Sequence, residues 1–574
     1  MDIEKIGKIH PTTEELTECS SVKSTPNYNS INTQSTLELV ESDEKKQRSF
    51  CDRNGSLLIK VLVLTILIGY FLWATYYQVF LLETSLNASL CTGYGFLIIL
   101  YCLIIYGISY NYLLKPRVLP KVDKHLWKPL VDSIRETKHS ALIFYIVFYS
   151  GLAIFLIIDT ANDRHRLISL SGIMTFMLFG FIMSPFKSQI KWKTILNGMV
   201  LQFILALVII RWPPGEEIFN CIGNKVTTFL GYSVEGAAFV YGDFLIYQQG
   251  VFAFKSLCTI YFIGFCINIL YYYGIMQKFV SVMGRFYNFW LGTSACESVN
   301  SAANIFLGMT EASLLLKPFL PYLTESELHN IMTCGFATTS GTVLAAYISF
   351  GANASTLITA SVMSAPSALI FSKLMYPETE EPEITIDNVN ITTTSFSSVL
   401  DAACTGASDA VKMVLNIIAG VIACLSFIYF LNGCLTWFGT LVGFTTPENS
   451  WTVNFFVGKL FTPIAFLMGV PWQDCGKVAE LIGIKTMVNE FAAFERMSTM
   501  VLLPKSKTIA TFSICGFANP GSIGIMISAL TALIPNRRAV VTKLVFRAAA
   551  GGAVVCFMTA CIAGLLIPSN KQSS

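Results

Sequence analysis

The chain has 574 residues, 53% hydrophobic and only 13% charged, with a mean hydropathy of +0.59. A soluble protein carries about 25% charged residues, so this composition excludes a water-soluble globular fold and indicates a polytopic, all-α membrane protein. The net charge of +3 is small and its basic residues fall in short loops, which leaves no nucleic-acid footprint and makes charge a reporter of topology.

Residues 1–56 are rich in Ser, Thr, Asn and Glu and cannot bury enough apolar surface to fold alone; a disordered cytoplasmic tail is expected. Lys45, Lys46, Arg48 and Arg53 precede the first apolar run near Leu57, and the positive-inside rule places this end in the cytoplasm. That first helix is expected to double as the insertion signal, without a cleavable signal peptide. Apolar runs long enough to cross, about 17–25 residues each, begin near Leu57, Tyr94, Ala141, Ile168 and Ile195. The basic loop at 115–139 and the one holding Lys187, Lys191 and Lys193 then lie inside, which leaves the sequon Asn87-Ala88-Ser89 outside and open to glycosylation.

From Glu216 to Tyr247 the pattern is mixed and predicts an interfacial segment rather than a crossing. A sixth span is expected over 251–276. Gly292 to Leu320 is apolar but interrupted by Glu297, Asn304, Gly308 and Glu311, which lipid would not tolerate; a re-entrant hairpin buried in protein accommodates them. Further spans are expected at 329–350, 358–376, 407–432, 507–533 and 541–567, giving about eleven transmembrane helices and an external C-terminus. Sixteen cysteines suggest disulfides until their positions are read: Cys102, Cys258, Cys266, Cys404, Cys424, Cys556 and Cys561 lie in apolar runs, where they pack as small hydrophobes.

Cys-Gly-Phe-Ala occurs twice, at 334–337 and 515–518, each time about two dozen residues after a buried-looking acid, Glu311 or Glu490. An odd number of reversals separates the copies, so they run in opposite directions, as in the inverted repeats of secondary transporters. A carboxylate in hydrocarbon costs roughly 2.5–3.5 kcal/mol on insertion scales, which marks both acids as functional candidates. The five histidines form no metal-binding pair, and no phosphate-binding Gly-rich loop with Lys is present, so transport would draw on an ion gradient. Asn304, Leu307 and Thr338 offer hard oxygen ligands for a small cation. Glu311, Glu490, Asn519 and Ser522 suit sugar hydroxyls, and Phe517 suits the face of a sugar or base. The competing reading makes Asn304 and Asn519 interhelical glue and Thr338 and Thr342 sites of close helix packing.

These residues carry a resemblance. Gly292-Thr293-Ser294, Glu297, the run Asn304 to Glu311, Gly341-Thr342-Val343-Leu344, Ala360 to Pro366, Asn489-Glu490-Phe491 and Cys515 to Asn519 together resemble the concentrative nucleoside transporters, over roughly 195–567. The resemblance implies a homotrimeric sodium-coupled importer at the plasma membrane whose transport domain moves like an elevator, with sodium as coupling ion and no other cofactor. It implies two re-entrant hairpins in inverted repeats, the first with its following helix forming a base site at Met309, Thr310, Glu311 and Val343, beside Thr342, and the second with its helix holding the ribose. A ribose site is implied at Glu490, Phe517, Asn519 and Ser522, and sodium ligands at Asn304, Leu307, Thr338 and Thr339. Met309 stands where pyrimidine-transporting relatives carry Gln; together with Gly308 and Thr342-Val343 it resembles the purine-preferring members, so adenosine, inosine and guanosine are the expected substrates, with uridine tolerated. Ser313, Pro471, Pro520 and Ala492-Ala493-Phe494 depart from the family pattern.

Four regions are expected: the tail 1–56, N-terminal helices 57–167, scaffold helices and interfacial segment 168–290, and a transport core 291–574 with repeats at about 292–376 and 407–567. The rival readings are a proton-coupled symporter using Glu311 or Glu297, a broadly selective one, a membrane-embedded enzyme, and a channel or receptor.

Overall fold

The computed structural model describes residues 62–78, 91, 93–109, 140–384, 396–444 and 451–568. The tail 1–56, the sequon at Asn87 and the basic loop 115–139 lie outside the described residues. The chain divides into two compact units, Met1–Lys124 and His125–Ser574.

The first unit contains α1 (Leu62–Tyr76) and α2 (Gly93–Ser109). Both are apolar all round and offer few polar handles. Tyr101 Oη donates to the Leu67 carbonyl, Tyr94 Oη donates to Thr75 Oγ1 at 3.1 Å, and the Phe71 and Tyr101 rings lie 4.4 Å apart.

The second unit opens with three apolar helices, α3 (Ser140–Asp159), α4 (Leu167–Met183) and α5 (Trp192–Ala206). The segment expected at the interface is a single helix, α6 (Pro213–Tyr241), started by Pro213 at a position where no N–H is needed. The sixth span is shorter than expected, α7 (Cys258–Tyr272), and is followed by a helix the hydropathy pattern did not reveal, α8 (Ile275–Leu291). In α8 the buried positions Met276, Val280, Gly284, Tyr287 and Leu291 recur at three- and four-residue spacing, so one stripe faces protein and the rest does not.

The hairpin expected at 292–320 consists of α9 (Ala295–Ala303) and α10 (Met309–Leu315), in contact with each other. A capping box starts α9: Ser294 Oγ accepts from the Glu297 N–H and the Glu297 carboxylate accepts from the Ser294 N–H. The span expected at 329–350 is broken into α11 (Glu325–Ala337) and α12 (Gly341–Ser349), and α13 (Ala354–Met375) follows.

In the second half, α14 (Val399–Leu441) runs 43 residues, longer than the expected 407–432, and α15 (Val453–Leu467) follows. Next come α16 (Trp472–Met487) and α17 (Glu490–Ser498), a second hairpin. The span expected at 507–533 is again broken, into α18 (Pro504–Ile514) and α19 (Pro520–Leu533), before the closing α20 (Arg538–Leu566). Short arm, second arm, broken helix, long helix: the two halves repeat this order from α9 to α13 and from α16 to α20.

Burial separates two roles among these helices. The apolar windows of α20 and α13 are 89% and 78% buried, whereas those of α3 and α14 are 11% and 12% buried. The centre is therefore α13 and α20 packed on each other and on α11 and α18, and α3 and α14 turn bare hydrocarbon outward. Seven helices among the described residues are long and apolar enough to cross a membrane, and four shorter apolar ones accompany them.

Polar side chains fix the centre through direct hydrogen bonds. Ser301 Oγ donates to the Ala365 carbonyl at 2.7 Å, Asn330 Nδ2 donates to the Leu369 carbonyl at 3.0 Å, and His329 Nδ1 bonds Ser372 Oγ at 2.7 Å. Each bond ties α9 or α11 to α13, the use of small polar groups that helices make in lipid.

Candidate functional site

The elements of the two halves exchange partners. The second arm α10 packs on α19, the second half of the other broken helix, and α17 packs on α12 in return. The breaks themselves meet: Thr339 Oγ1 donates to the Cys515 carbonyl at 2.7 Å, and Cys556 Sγ lies 3.4 Å from the Ala337 carbonyl. A Cβ on Gly516 would come 2.5 Å from Cys556 Sγ and 2.7 Å from the Phe336 carbonyl, so only glycine lets the two breaks approach this closely.

A cavity of about 450 Å³ lies at this meeting point. Met309, Thr310 and Glu311 line it from the first turn of α10, Val343 from α12, Glu490 from the first turn of α17, and Phe517, Asn519 and Ser522 from the second break. Thr342, also singled out for substrate, has its side chain outside the described residues.

Helix starts dominate the wall. Gly308 opens α10, Asn489 caps α17 by accepting from the Ala492 N–H at 3.0 Å, and Asn519 caps α19 by accepting from the Ser522 N–H at 2.8 Å. The first turns of a helix leave N–H groups without intrahelical partners and carry partial positive charge. Both acids sit in such turns. The Glu311 carboxylate folds back over Gly308 and accepts from Thr310 Oγ1 at 3.0 Å. The Glu490 carboxylate, 3% exposed, accepts from Asn519 Nδ2 at 2.7 Å, so one asparagine caps α19 and holds the acid of α17. Pro520 fills the first position of α19, where its missing N–H costs nothing.

The four residues expected at sodium belong to the first hairpin turn and the first break. Leu307 reaches the cavity, and Asn304, Thr338 and Thr339 are each 1% exposed. The Gly341 N–H donates to the Phe306 carbonyl at 2.9 Å, which fastens the hairpin turn to the first break. Asn304 Nδ2 donates to the Asn300 carbonyl at 2.9 Å, within its own helix, while Asn304 Oδ1 is buried with no hydrogen-bond partner among the described residues. A buried acceptor left unpaired costs about 1–3 kcal/mol, a cost a small cation would remove. Thr338 Oγ1 donates to the Cys334 carbonyl at 2.8 Å, which leaves its oxygen lone pairs available as acceptors. The donor set of amide, hydroxyl and main-chain oxygens therefore fits sodium.

Glu297 is placed elsewhere. Besides capping α9 it pairs with Lys373, which also pairs with Glu378 at 2.9 Å, in a separate cleft of about 60 Å³. It does not line the large cavity.

The cavity also holds residues that sequence reasoning passed over: Asn268 and Tyr271 of α7, and Asp409, Met413 and Asn416 of α14. A signal existed for the last three. Asp409 and Asn416 are polar in an apolar helix, and the 409, 413, 416 spacing places all three on one face.

Comparison with known proteins agrees with this arrangement. Family models for sodium-dependent nucleoside transporters match residues 171–244 (N-terminus) and 356–564 (C-terminus), and a nucleoside-recognition gate model matches 253–354. The chain is 38% identical to sodium/nucleoside cotransporter 2 of Mus musculus, over 92% of this chain and 80% of that protein. It is 39% identical to sodium/nucleoside cotransporter 1 of Oryctolagus cuniculus over 92% of this chain and 80% of that one.

The chain belongs to the sodium-dependent nucleoside transporter family.

Among solved structures it is similar to CNTnw in an inward-facing, substrate-bound state, with a TM-score of 0.65 and 33% identity over 70% of this chain and 97% of that one. A variant of CNTnw in an outward-facing state matches with a TM-score of 0.66 and 32% identity, over 70% of this chain and 99% of that one. The family is one of transporters, not enzymes, and sodium is its coupling ion.

Proposed function

We propose that this chain is a plasma-membrane symporter that imports nucleosides with sodium and prefers purine nucleosides, namely adenosine, inosine and guanosine, with uridine tolerated. One observation carries the proposal: the cavity between the two hairpins presents Met309, Thr310, Glu311 and Val343 on one side and Glu490, Phe517, Asn519 and Ser522 on the other. The first group would hold the base and the second the ribose, with Thr342 beside the base site. Asn304, Leu307, Thr338 and Thr339 would hold sodium behind the tip of the first hairpin.

The preference for purines rests on Met309. Its thioether offers a soft apolar surface and no strong hydrogen-bond group, so it can cover the wider purine but cannot pair with a pyrimidine edge as Gln would. Sodium favours substrate binding because it would neutralise the unpaired Asn304 Oδ1 and brace the hairpin turn against the first break, two elements that both line the cavity.

Import would proceed by an elevator-type movement of the core 291–574 against the scaffold 168–290, in a homotrimer. The similarity to one transporter in both inward- and outward-facing states supports alternating access. The bare apolar face of the 43-residue α14 supports burial against lipid or neighbouring protomers. A cytoplasmic N-terminus and an external C-terminus agree with the disulfide at Cys221 in α6, a bond that persists outside the cytosol.

Uptake of labelled inosine and cytidine, each with and without sodium, tests the reading in wild type and Met309→Gln. Wild type should take up inosine far better than cytidine, and only with sodium. The Gln variant should gain cytidine uptake by roughly tenfold, the value of about one net hydrogen bond. Equal use of cytidine and inosine by the wild type would refute the purine preference.

A further inference from the structure

The two hairpins share a register that assigns a role to a lysine. In the first, Asn304 lies four residues before Gly308, which opens the second arm α10. In the second, the residue four before Asn489, the N-cap of α17, is Lys485. Aligned on those helix starts, Lys485 takes the place of Asn304.

The two residues have complementary deficits. Asn304 Oδ1 is a buried acceptor without a hydrogen-bond partner among the described residues. Lys485 is 0% exposed and its Nζ is a buried donor, likewise without a hydrogen-bond partner among them. It sits in the last turn of α16, where main-chain carbonyls lack partners and cations are favoured. Its charge stands within electrostatic range of the Glu490 carboxylate and of the Cys515 and Cys556 thiols at the second break. A buried, unpaired ammonium is costly, by several kcal/mol, unless an opposite charge answers it. Glu490, five residues on at the start of α17, carries the acid whose charge it feels.

We propose that Lys485 is a tethered cation, its ammonium holding in the second repeat the place that sodium holds in the first. This rests on the assignment of sodium to Asn304. The first half of the core draws its positive charge from solution and so couples nucleoside to the ion gradient. The second half carries a fixed charge, which keeps Glu490 compensated in every state and takes up no ion. Lys485 acts through Glu490 and does not line the cavity, so it is a positioning residue.

The test is the ratio of labelled sodium to labelled inosine taken up by purified full-length protein in proteoliposomes. Lys485→Asn, which installs the residue of the first repeat, should raise that ratio by about one sodium per nucleoside, because the vacated positive charge leaves the second half of the core without its cation. Lys485→Arg keeps the charge and should keep the wild-type ratio. A lysine needed only for packing would lower the rate of Lys485→Asn and leave its ratio at the wild-type value, and that result would overturn the proposal. If Lys485→Asn does not accumulate as folded protein, the double variant Lys485→Asn with Glu490→Gln decides by size exclusion and thermal melting. Recovery of folded protein supports the charge pairing, and failure to recover overturns it. Wild-type uptake indifferent to sodium would instead sink the sodium assignment, a result read before any variant is made.

Discussion

Asn304 and Asn519 are the same residue type put to different uses. Asn519 spends both ends of its amide on protein, capping α19 and donating to Glu490, while Asn304 spends only its nitrogen and leaves Oδ1 buried and unpaired. The glue reading therefore describes Asn519 in part and fails for Asn304, whose one bond stays within its own helix. Asn304→Ala removes the carboxamide, its unpaired Oδ1 together with the Nδ2 that bonds Asn300, and a hydrogen bond or ligand contact to a charged group is worth about 1.5–3 kcal/mol. The sodium concentration for half-maximal uptake should rise by about ten- to hundredfold. Uptake at saturating sodium should be largely retained. An unchanged sodium requirement, measured by uptake against sodium concentration, would remove Asn304 from the ion site.

At the scale of elements, the breaks in α11–α12 and α18–α19 expose helix ends to the cavity, and glycines let the breaks touch. Gly516→Val would drive a branched side chain into Cys556 and the Phe336 carbonyl, and overpacking of this kind costs roughly 1–3 kcal/mol. The melting temperature of the detergent-purified protein should fall clearly. Gly231→Ala in α6 is the control: nothing lies within 4 Å of its Cβ position, and melting should hold steady or rise slightly. Equal melting of Gly516→Val and wild type would contradict the close approach of the two breaks.

For the whole molecule, the distribution of burial separates a packed centre, α13 and α20, from helices such as α3 and α14 that turn apolar surface outward. The elevator movement proposed above would require a body that moves and one that stays with the bilayer. The coupling ion is also decided at this scale, because it must cross the membrane together with the substrate. Replacing sodium with choline at fixed pH should abolish concentrative inosine uptake. Glu297, the alternative proton carrier, is held by Lys373 and the start of α9, away from the cavity, which leaves Glu311 for that role. Uptake that persists in choline and rises as pH falls would show proton coupling instead.

Much of this was legible in the chain alone. Composition dictated a helical membrane protein, since backbone groups in hydrocarbon must satisfy one another within each segment. The repeated Cys-Gly-Phe-Ala, each copy following a misplaced acid, marked the two halves, and the family resemblance named nine of the residues that line the cavity. Hydropathy could not resolve helices broken at depth, because Thr338 to Ser340 and Cys515 to Asn519 are too short to interrupt an apolar window, so two single spans were expected where there are four helices. It likewise passed over α8, and the second hairpin, α16 and α17, was expected from the family resemblance and not from hydropathy. Only the tertiary structure brought α10 against α19 and α17 against α12. It left Asn304 Oδ1 and Lys485 Nζ without hydrogen-bond partners and placed Asp409 and Asn416 in the wall of the cavity, since partnership between residues a hundred or more positions apart is decided by packing and not by local pattern.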